Sequence, residues 1–193
     1  DAEHQCYEDE GSDIYSKLFS EIPDSPGKLM MLPYFTSTGL PDFSPHTSGV
    51  MTGLRLETTR GEILQGIVES IMFDLKTTVE PLGEIYPELK NIIAVGGGSK
   101  SEKWVQICAD ILGSPIHRPR VSEAGVLGAA IIAGVGCGSF QSYMQATSDM
   151  VKIADTFYPD PLKHSVYQKK FETYGELRTK LQGFLENLSQ TDI

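Results

Sequence analysis

Residues 91–112 read NIIAVGGGSKSEKWVQICADIL, and the fold follows from how this stretch is parsed. An apolar run, 91–95, has strand character and ends at three consecutive glycines. A helix opens around Ser99 to Ser101 and runs to about Leu112, where Gly113 stops it. Glycines at such a turn allow φ > 0 and let a ligand come close. The free N–H groups at the start of the helix face the same space, and the helix dipole favours negative charge there. Taken alone, the turn has two readings. A nucleotide lies over Gly96, Gly97 and Gly98 with Ser99 or Ser101 offering a hydroxyl, or the glycines serve tight geometry only. The pattern is neither a GxGxxG fingerprint nor a Walker A loop, since no GK[ST] follows.

Upstream, Thr59-Arg60-Gly61-Glu62 fits the S/T-x-x-E capping box. Ile63, Ile67, Ile71 and Leu75 follow at i, i+4 spacing with Leu64, Val68 and Met72 beside them. So broad a stripe predicts a helix lying against a sheet, with Pro81 and Gly83 marking its end. Residues 28–35 (KLMMLPYF) and 50–56 (VMTGLRL) read as strands. Between them, 36–49 is a functional loop or packed irregular structure. A short helix is expected from Asp13 to Glu21, with Ile14, Leu18 and Ile22 on one face and Pro23 and Pro26 ending it. Residues 1–13 are polar and are expected to be mobile or on the surface. Downstream, 115–118 is extended and 123–134 (EAGVLGAAIIAG) is a helix whose small residues suit close approach to a sheet or helix. A further helix starts at Phe140. A longer one, 162–188, carries Tyr167, Phe171, Tyr174, Leu177 and Leu181 on one face. Helices alternating with about four strands predict an α/β layer structure.

The chain has 193 residues, 40% hydrophobic and 22% charged, which suits one domain with a real core. A net charge of −10 without a basic run argues against nucleic acid as partner. It does not exclude ATP, because backbone N–H groups can hold phosphate without a basic patch. Cys6, Cys108 and Cys137 are odd in number and form no CxxC. That fits reduced thiols in the cytoplasm, with no disulfide framework and no zinc site. No apolar stretch approaches the length of a membrane span. The first residues are acidic and lack the apolar run of a signal peptide. Without an initiator Met, the chain reads as trimmed or as an excised piece.

Among single residues, Asp110 inside the 99–112 helix reads as a packing or surface residue. Trp104 reads as core, with sheltering of a nucleotide as the second option. Glu123 suits the positive end of the helix it opens. His4, His46, His117 and His164 have no metal-ligand spacing. Cys108 and Cys137 read as small buried hydrophobes.

Several segments resemble the FGGY carbohydrate kinases. GGGSKSEKWVQICADILGSPI, residues 96–116, is similar to that family's adenosine-binding segment, with Trp104, Gln106, Ala109, Asp110, Gly113 and Pro115 in the matching places. RPRVSEAGVLGAAIIAGVGCGSF, residues 118–140, resembles its R-P-x-x-x-E-A-x-x-L-G-A-A segment. GVMTGLRLETTRGEILQGIVES, residues 49–70, is similar to its second signature, matching at Gly49, Met51, Gly53, Leu54, Glu62, Ile63, Ile67, Val68 and Glu69. Gly66 departs, since Ala or Ser is usual there. LPYFTSTGLPDFSP, residues 32–45, resembles the proline-and-glycine loop, without the E-R-T-P of xylulose kinases.

The resemblance, read from about Leu29 to Phe140, implies an α/β, ribonuclease H-like fold of the actin, sugar-kinase and heat-shock ATPase type, here incomplete and with C-terminal helices. Residues 1–28 are then an acidic lead and short helix. Residues 29–193 are part of the C-terminal nucleotide-binding domain, with 160–188 its terminal helix. ATP with Mg²⁺ would sit in a cleft against an N-terminal kinase domain, and the substrate would be a sugar or polyol. Gly96, Gly97, Gly98, Ser99 and Ser101 would be the nucleotide-binding residues. The family's D-x-G-T loop, catalytic Asp and later G-T-S loop have no counterpart in residues 1–28, so no catalytic residue and no metal ligand is assigned. The chain alone is expected to be inactive. A truncated sheet would also expose edges and apolar area, which favours a homo-oligomer. The alternative is a non-catalytic nucleotide-binding or interaction module of the same fold.

Overall fold

In the computed structural model, residues 14–36, 48–87 and 91–189 are described. The 36–49 loop therefore lies largely outside them, as do His4, Cys6 and His46. Helix α1 (Ile14–Ser20) leads to β1 (Met30–Leu32), which pairs antiparallel with β2 (Val50–Thr52) in register Met30↔Thr52 and Leu32↔Val50. Both strands are shorter than their apolar runs. Pro33 has no N–H to continue the ladder after Leu32, and Gly53 turns away at φ +87°.

Helix α2 (Arg60–Ile85) starts at the predicted capping box. Thr59 Oγ1 accepts from the Glu62 N–H at 3.2 Å, and the Glu62 carboxylate accepts from the Thr59 N–H at 2.8 Å. Its end corrects the sequence reading, because the helix passes through Pro81 to Ile85. The missing N–H frees only one carbonyl, and that turn is exposed, so water can satisfy it.

Strand β3 (Ile92–Ile93) leads through the glycine turn into α3 (Glu102–Leu112), and β4 (Ile116–Pro119) returns parallel to β3. Gly113 closes α3 at φ +67°, and its N–H donates to the Ala109 carbonyl at 2.9 Å. A Cβ at Gly113 would also lie 2.4 Å from the His164 ring, so the position excludes side chains twice over. After α4 (Ala124–Gly136) and α5 (Tyr143–Met150) comes β5 (Ile153–Phe157), which pairs antiparallel with β4 across an irregularity at Arg118/Pro119. This fifth strand was not anticipated. The terminal helix α6 (Pro161–Ser189) completes the chain.

The core forms where α2, α3 and α6 meet β1 and one face of the β3–β4–β5 sheet. Leu32, Val68, Phe73, Ile111, Ile116 and Tyr174 are buried in one cluster. Phe73 packs against Tyr167, Phe171 and Tyr174 at ring separations of 5.5–6.2 Å. The predicted apolar face of α6 is therefore the face it buries. The two buried charged groups of α2, Glu69 and Lys76, are paired, while the Gln65 Oε1 has no hydrogen-bond partner. Glu69 accepts from the Gly27 N–H and the Tyr167 hydroxyl, each at 2.9 Å, and pairs with Lys170. Lys76 donates to the Ile111 carbonyl at 3.0 Å. Asp110 Oδ1 accepts from the Asp160 N–H at 2.8 Å, which fixes the entry to α6 and matches the packing role read for it.

The opposite side differs. Paired residues in a sheet share a face, so the row Ile92–Ile116–Phe157 points into the core and the row Ile93–His117–Thr156 points away. Ile93 is 46% exposed there. Helix α4, apolar throughout, has no buried residue. At Gly134 the ring of Phe140, in the turn that follows α4, lies 2.7 Å from where a Cβ would sit, so the small residue there accommodates the chain's own reversal. Cys137 is exposed, which corrects its reading as a buried hydrophobe, because it caps an α4 whose outer side is uncovered.

Candidate functional site

The strand-to-helix connection places the site. At Gly96, φ is +81° and ψ −167°, a region open in practice only to glycine. This kink lets the Gly96 N–H donate to the Ser122 carbonyl at 3.0 Å while its own carbonyl turns back. That carbonyl accepts from the Ser99 N–H at 3.2 Å and the Ser99 hydroxyl at 2.7 Å. One 3₁₀ turn, Gly97–Lys100, follows before α3. Ser101 is the N-cap of α3, its hydroxyl oxygen accepting from the Trp104 N–H at 3.2 Å. Ser101 can still donate its own proton to a ligand.

The turn is braced from the sheet. Arg118 donates from Nη1 to the Ser99 carbonyl at 3.3 Å. Its Nε and Nη2 donate to Asp155 at 2.9 and 2.7 Å, and the guanidinium lies 5.1 Å over the Phe157 ring. Strands β4 and β5 thus hold the turn in place through one side chain.

A cavity of about 1000 Å³ opens over the turn. Gly97, Gly98, Ser101 and Trp104 line its floor and one wall, and Tyr15 and Phe19 of α1 line the other. A Cβ at Gly97 would meet nothing within 4 Å, so the backbone there faces open space. Trp104 stands edge-on to Phe19 with ring centroids 5.5 Å apart. It packs on the core and walls the cavity at once.

Three charged residues line the cavity, and each has a partner. Lys103 pairs with Asp24, whose carboxyl is held below its usual range first by the hydrogen bond from Lys103. Lys100 lies 3.7 Å from Glu123, and Glu102 lies 3.6 Å from Arg118. The walls are therefore aromatic and the rim nearly neutral, which suits a flat heterocycle with polar edges.

Of the five residues singled out from the sequence, Gly97, Gly98 and Ser101 come together at the cavity. Gly96 and Ser99 shape the turn from behind, with Ser99 buried and its hydroxyl committed to Gly96. Sequence reasoning missed Tyr15 and Phe19. The available signal was an aromatic pair at i, i+4 on α1, off the Ile14/Leu18 face. His117 meets Thr156 Oγ1 at 2.9 Å, and His164 Nδ1 meets the Asp110 carbonyl at 2.8 Å. Among the described residues, no three His, Cys, Asp or Glu side chains converge as metal ligands.

Comparison with known proteins identifies the family and the fold. Residues 3–137 match the model of the FGGY family of carbohydrate kinases, C-terminal domain. The match begins ahead of Leu29 and takes in α1. The L-xylulose/3-keto-L-gulonate kinase of Escherichia coli (strain K12) is 33% identical over 174 residues, covering 89% of this chain and 34% of the relative. A glycerol kinase of Polaromonas naphthalenivorans is 34% identical over 155 residues, covering 78% of this chain and 31% of the relative. A ligand-bound xylulose kinase from Lactobacillus acidophilus superposes with a TM-score of 0.78 at 25% identity, over 90% of this chain and 35% of that structure. The chain spans about a third of the length of the curated relatives it matches. The fold is the ribonuclease H-like one of the sugar kinases, represented in part, and the chain belongs to the FGGY family of carbohydrate kinases.

Proposed function

We propose that the cavity over Gly97 and Gly98 receives the adenosine end of ATP. The chain is then the adenosine-binding part of a kinase that transfers the γ-phosphate to a sugar or polyol hydroxyl. The observation that carries this reading is a side-chain-free turn facing a cavity walled by Trp104, Tyr15 and Phe19. The aromatic walls take the base, the bare backbone at Gly97 allows close approach, and the Ser101 hydroxyl offers a donor. Gly96, Ser99 and Arg118 hold the turn in shape without touching the nucleotide.

No Asp lines the cavity among the described residues, and the lining carboxylate, Glu102, faces Arg118. Deprotonating a sugar hydroxyl therefore needs a base supplied from elsewhere. Mg²⁺ accompanies ATP in such transfers and is held largely by the phosphates; among the described residues no three His, Cys, Asp or Glu side chains converge to add ligands. The chain alone is accordingly inactive. Its setting is cytoplasmic on this reading, supported by free Cys108 and Cys137 and by the lack of any described helix long and apolar enough to cross a membrane.

Trp104 is the sole tryptophan and walls the cavity, so it reports occupancy. Titration with ATP or ADP should give a saturable change in its fluorescence, and Gly97→Val should abolish that change while leaving the melting midpoint intact. A flat response of the unaltered chain up to millimolar ATP would sink the reading. Purified residues 1–193 that phosphorylate a sugar or polyol at an enzyme-like rate would refute the inactivity.

A further inference from the structure

Ser99 is buried where the glycine turn runs into α3. A backbone carbonyl enclosed in that way needs a donor. Arg118 supplies one from Nη1, and what aims Arg118 is a strand much further along the chain. Arg118 and Asp155 stand opposite each other in the β4–β5 register, so their side chains share the sheet face that carries Ile116 and Phe157. Asp155 Oδ2 accepts from both Nε and Nη2, at 2.9 and 2.7 Å, and the Phe157 ring lies against the guanidinium. Two charge-assisted hydrogen bonds and a ring contact fix the plane of the guanidinium and leave Nη1 directed at the turn. A second carboxylate competes for it. Glu102 Oε1 lies 3.6 Å from Nη2, on the cavity rim, with its side chain 79% exposed. Once Asp155 is removed, a guanidinium turning toward Glu102 draws Nη1 off the Ser99 carbonyl. Asp155 and Phe157 lie outside residues 3–137, the stretch that matches the family model, so the brace is not part of what that match carries.

We propose that Asp155 is a positioning residue for the nucleotide: it sets the affinity of the glycine turn for ATP by holding Arg118 on the Ser99 carbonyl. Asp155 does not line the cavity, so it acts only through Arg118. Ser99 spreads the hold in both directions. Its N–H and hydroxyl both donate to the Gly96 carbonyl, at 3.2 and 2.7 Å, and the next turn closes with the Ser101 N–H on the Gly98 carbonyl at 3.2 Å. Fixing the Ser99 peptide therefore fixes the kink at Gly96 on one side and the N-cap of α3 on the other. Gly97, Gly98 and Ser101 then face the cavity in one arrangement, and a site ordered in advance binds more tightly than one ordered by its ligand. The inference rests on the adenosine reading of the cavity for its ligand, and on the β4–β5 pairing for its mechanism.

The test compares the 193-residue chain with Asp155→Ala, Asp155→Asn, Arg118→Met and the Asp155→Ala/Arg118→Met pair. Met keeps the apolar stem over Phe157 and removes the guanidinium. ATP affinity is read from Trp104 fluorescence, and the order of the turn from hydrogen exchange at the Ser99 and Ser101 amides. Asp155→Ala should weaken ATP binding about tenfold, the size expected for a lost hydrogen bond to a charged group. It should speed exchange at those two amides and move the melting midpoint by less than about 2 °C, because Asp155 is half exposed. Asp155→Asn keeps an acceptor in place and should recover part of the affinity, and it remains a test if Asp155→Ala or Arg118→Met does not fold. In the double variant the loss should equal that of Arg118→Met alone, because Asp155 has nothing left to aim. Full affinity in Asp155→Ala overturns the proposal and leaves the nucleotide reading standing. Additive losses in the double variant, or weaker binding with unchanged exchange at Ser99 and Ser101, also overturn it, since Asp155 would then act by another route. Faster exchange throughout the core together with a falling midpoint overturns it as well, because that is general loosening. A flat ATP response of the unaltered chain removes the nucleotide reading and this proposal with it.

Discussion

Helix α2 carries seven charged residues among its 26 and buries nine positions, including Glu69 and Lys76, whereas α4 carries no charge in 13 residues and buries none. The more polar helix forms the core and the apolar one faces outward. Burial follows what an element packs against. The two charged groups that α2 encloses each have partners, Glu69 in Lys170, Tyr167 and the Gly27 N–H, and Lys76 in the Ile111 carbonyl. Around α4 nothing in the described chain supplies a second layer.

The contrast can be broken most directly by truncating matched apolar side chains on the two sides. Phe73→Ala removes a fully buried ring from among Tyr167, Phe171 and Tyr174 and should cost about 3–5 kcal/mol in urea unfolding. A loss below about 1 kcal/mol would mean that the aromatic cluster is not the core. Gly113→Ala should cost about 2 kcal/mol, from the left-handed backbone and from displacing His164 off the Asp110 carbonyl. A neutral result would show that α6 docks without that contact.

Asp74 sharpens the comparison electrostatically. Burial raises its pKa, against the hydrogen bond from the Tyr174 hydroxyl and the charge of Arg178, which lower it. A raised folded pKa means that the carboxyl's favourable contribution is complete below its unfolded pKa and fades as pH rises through the folded one. Asp74→Asn keeps an acceptor and removes the charge. It should raise the melting midpoint at pH 7 by about 1–2 °C, with the gain shrinking toward pH 3. A gain that grows on acidification would reverse the assigned cause. The smallest effect belongs to the other side: Ile132→Ala should change the stability of the chain by less than about 0.5 kcal/mol. A core-sized loss there would show that α4 is covered in solution.

The elements that the sequence disclosed most clearly are those with local chemistry. The Thr59/Glu62 box, the Ser101 start and Gly113 stop of α3, and the aromatic face of α6 depend on residues within a few positions of one another. Strand β5 was not legible, because Ile153 and Ala154 at its start are exposed and its apolar residues do not alternate. It exists through hydrogen bonding to β4. The orientation of α4 was not legible either, since composition states an appetite for burial and not what satisfies it. At the candidate site, Gly97, Gly98 and Ser101 were readable from the turn. The wall from α1 was not, because Tyr15 and Phe19 reach the cavity only once α1 packs beside α3.

The partners of α6 carry a consequence for synthesis. Lys170 donates to the Gly27 carbonyl at 2.8 Å, a contact between residues 143 positions apart in the chain. On a ribosome adding about 5–20 residues per second, the loop before β1 therefore waits on the order of ten seconds for its anchor. Until then Glu69 lacks Lys170 and Tyr167, and Phe73 lacks its aromatic neighbours. The early segments therefore leave the exit tunnel with an interior that stays unfinished until α6 is released.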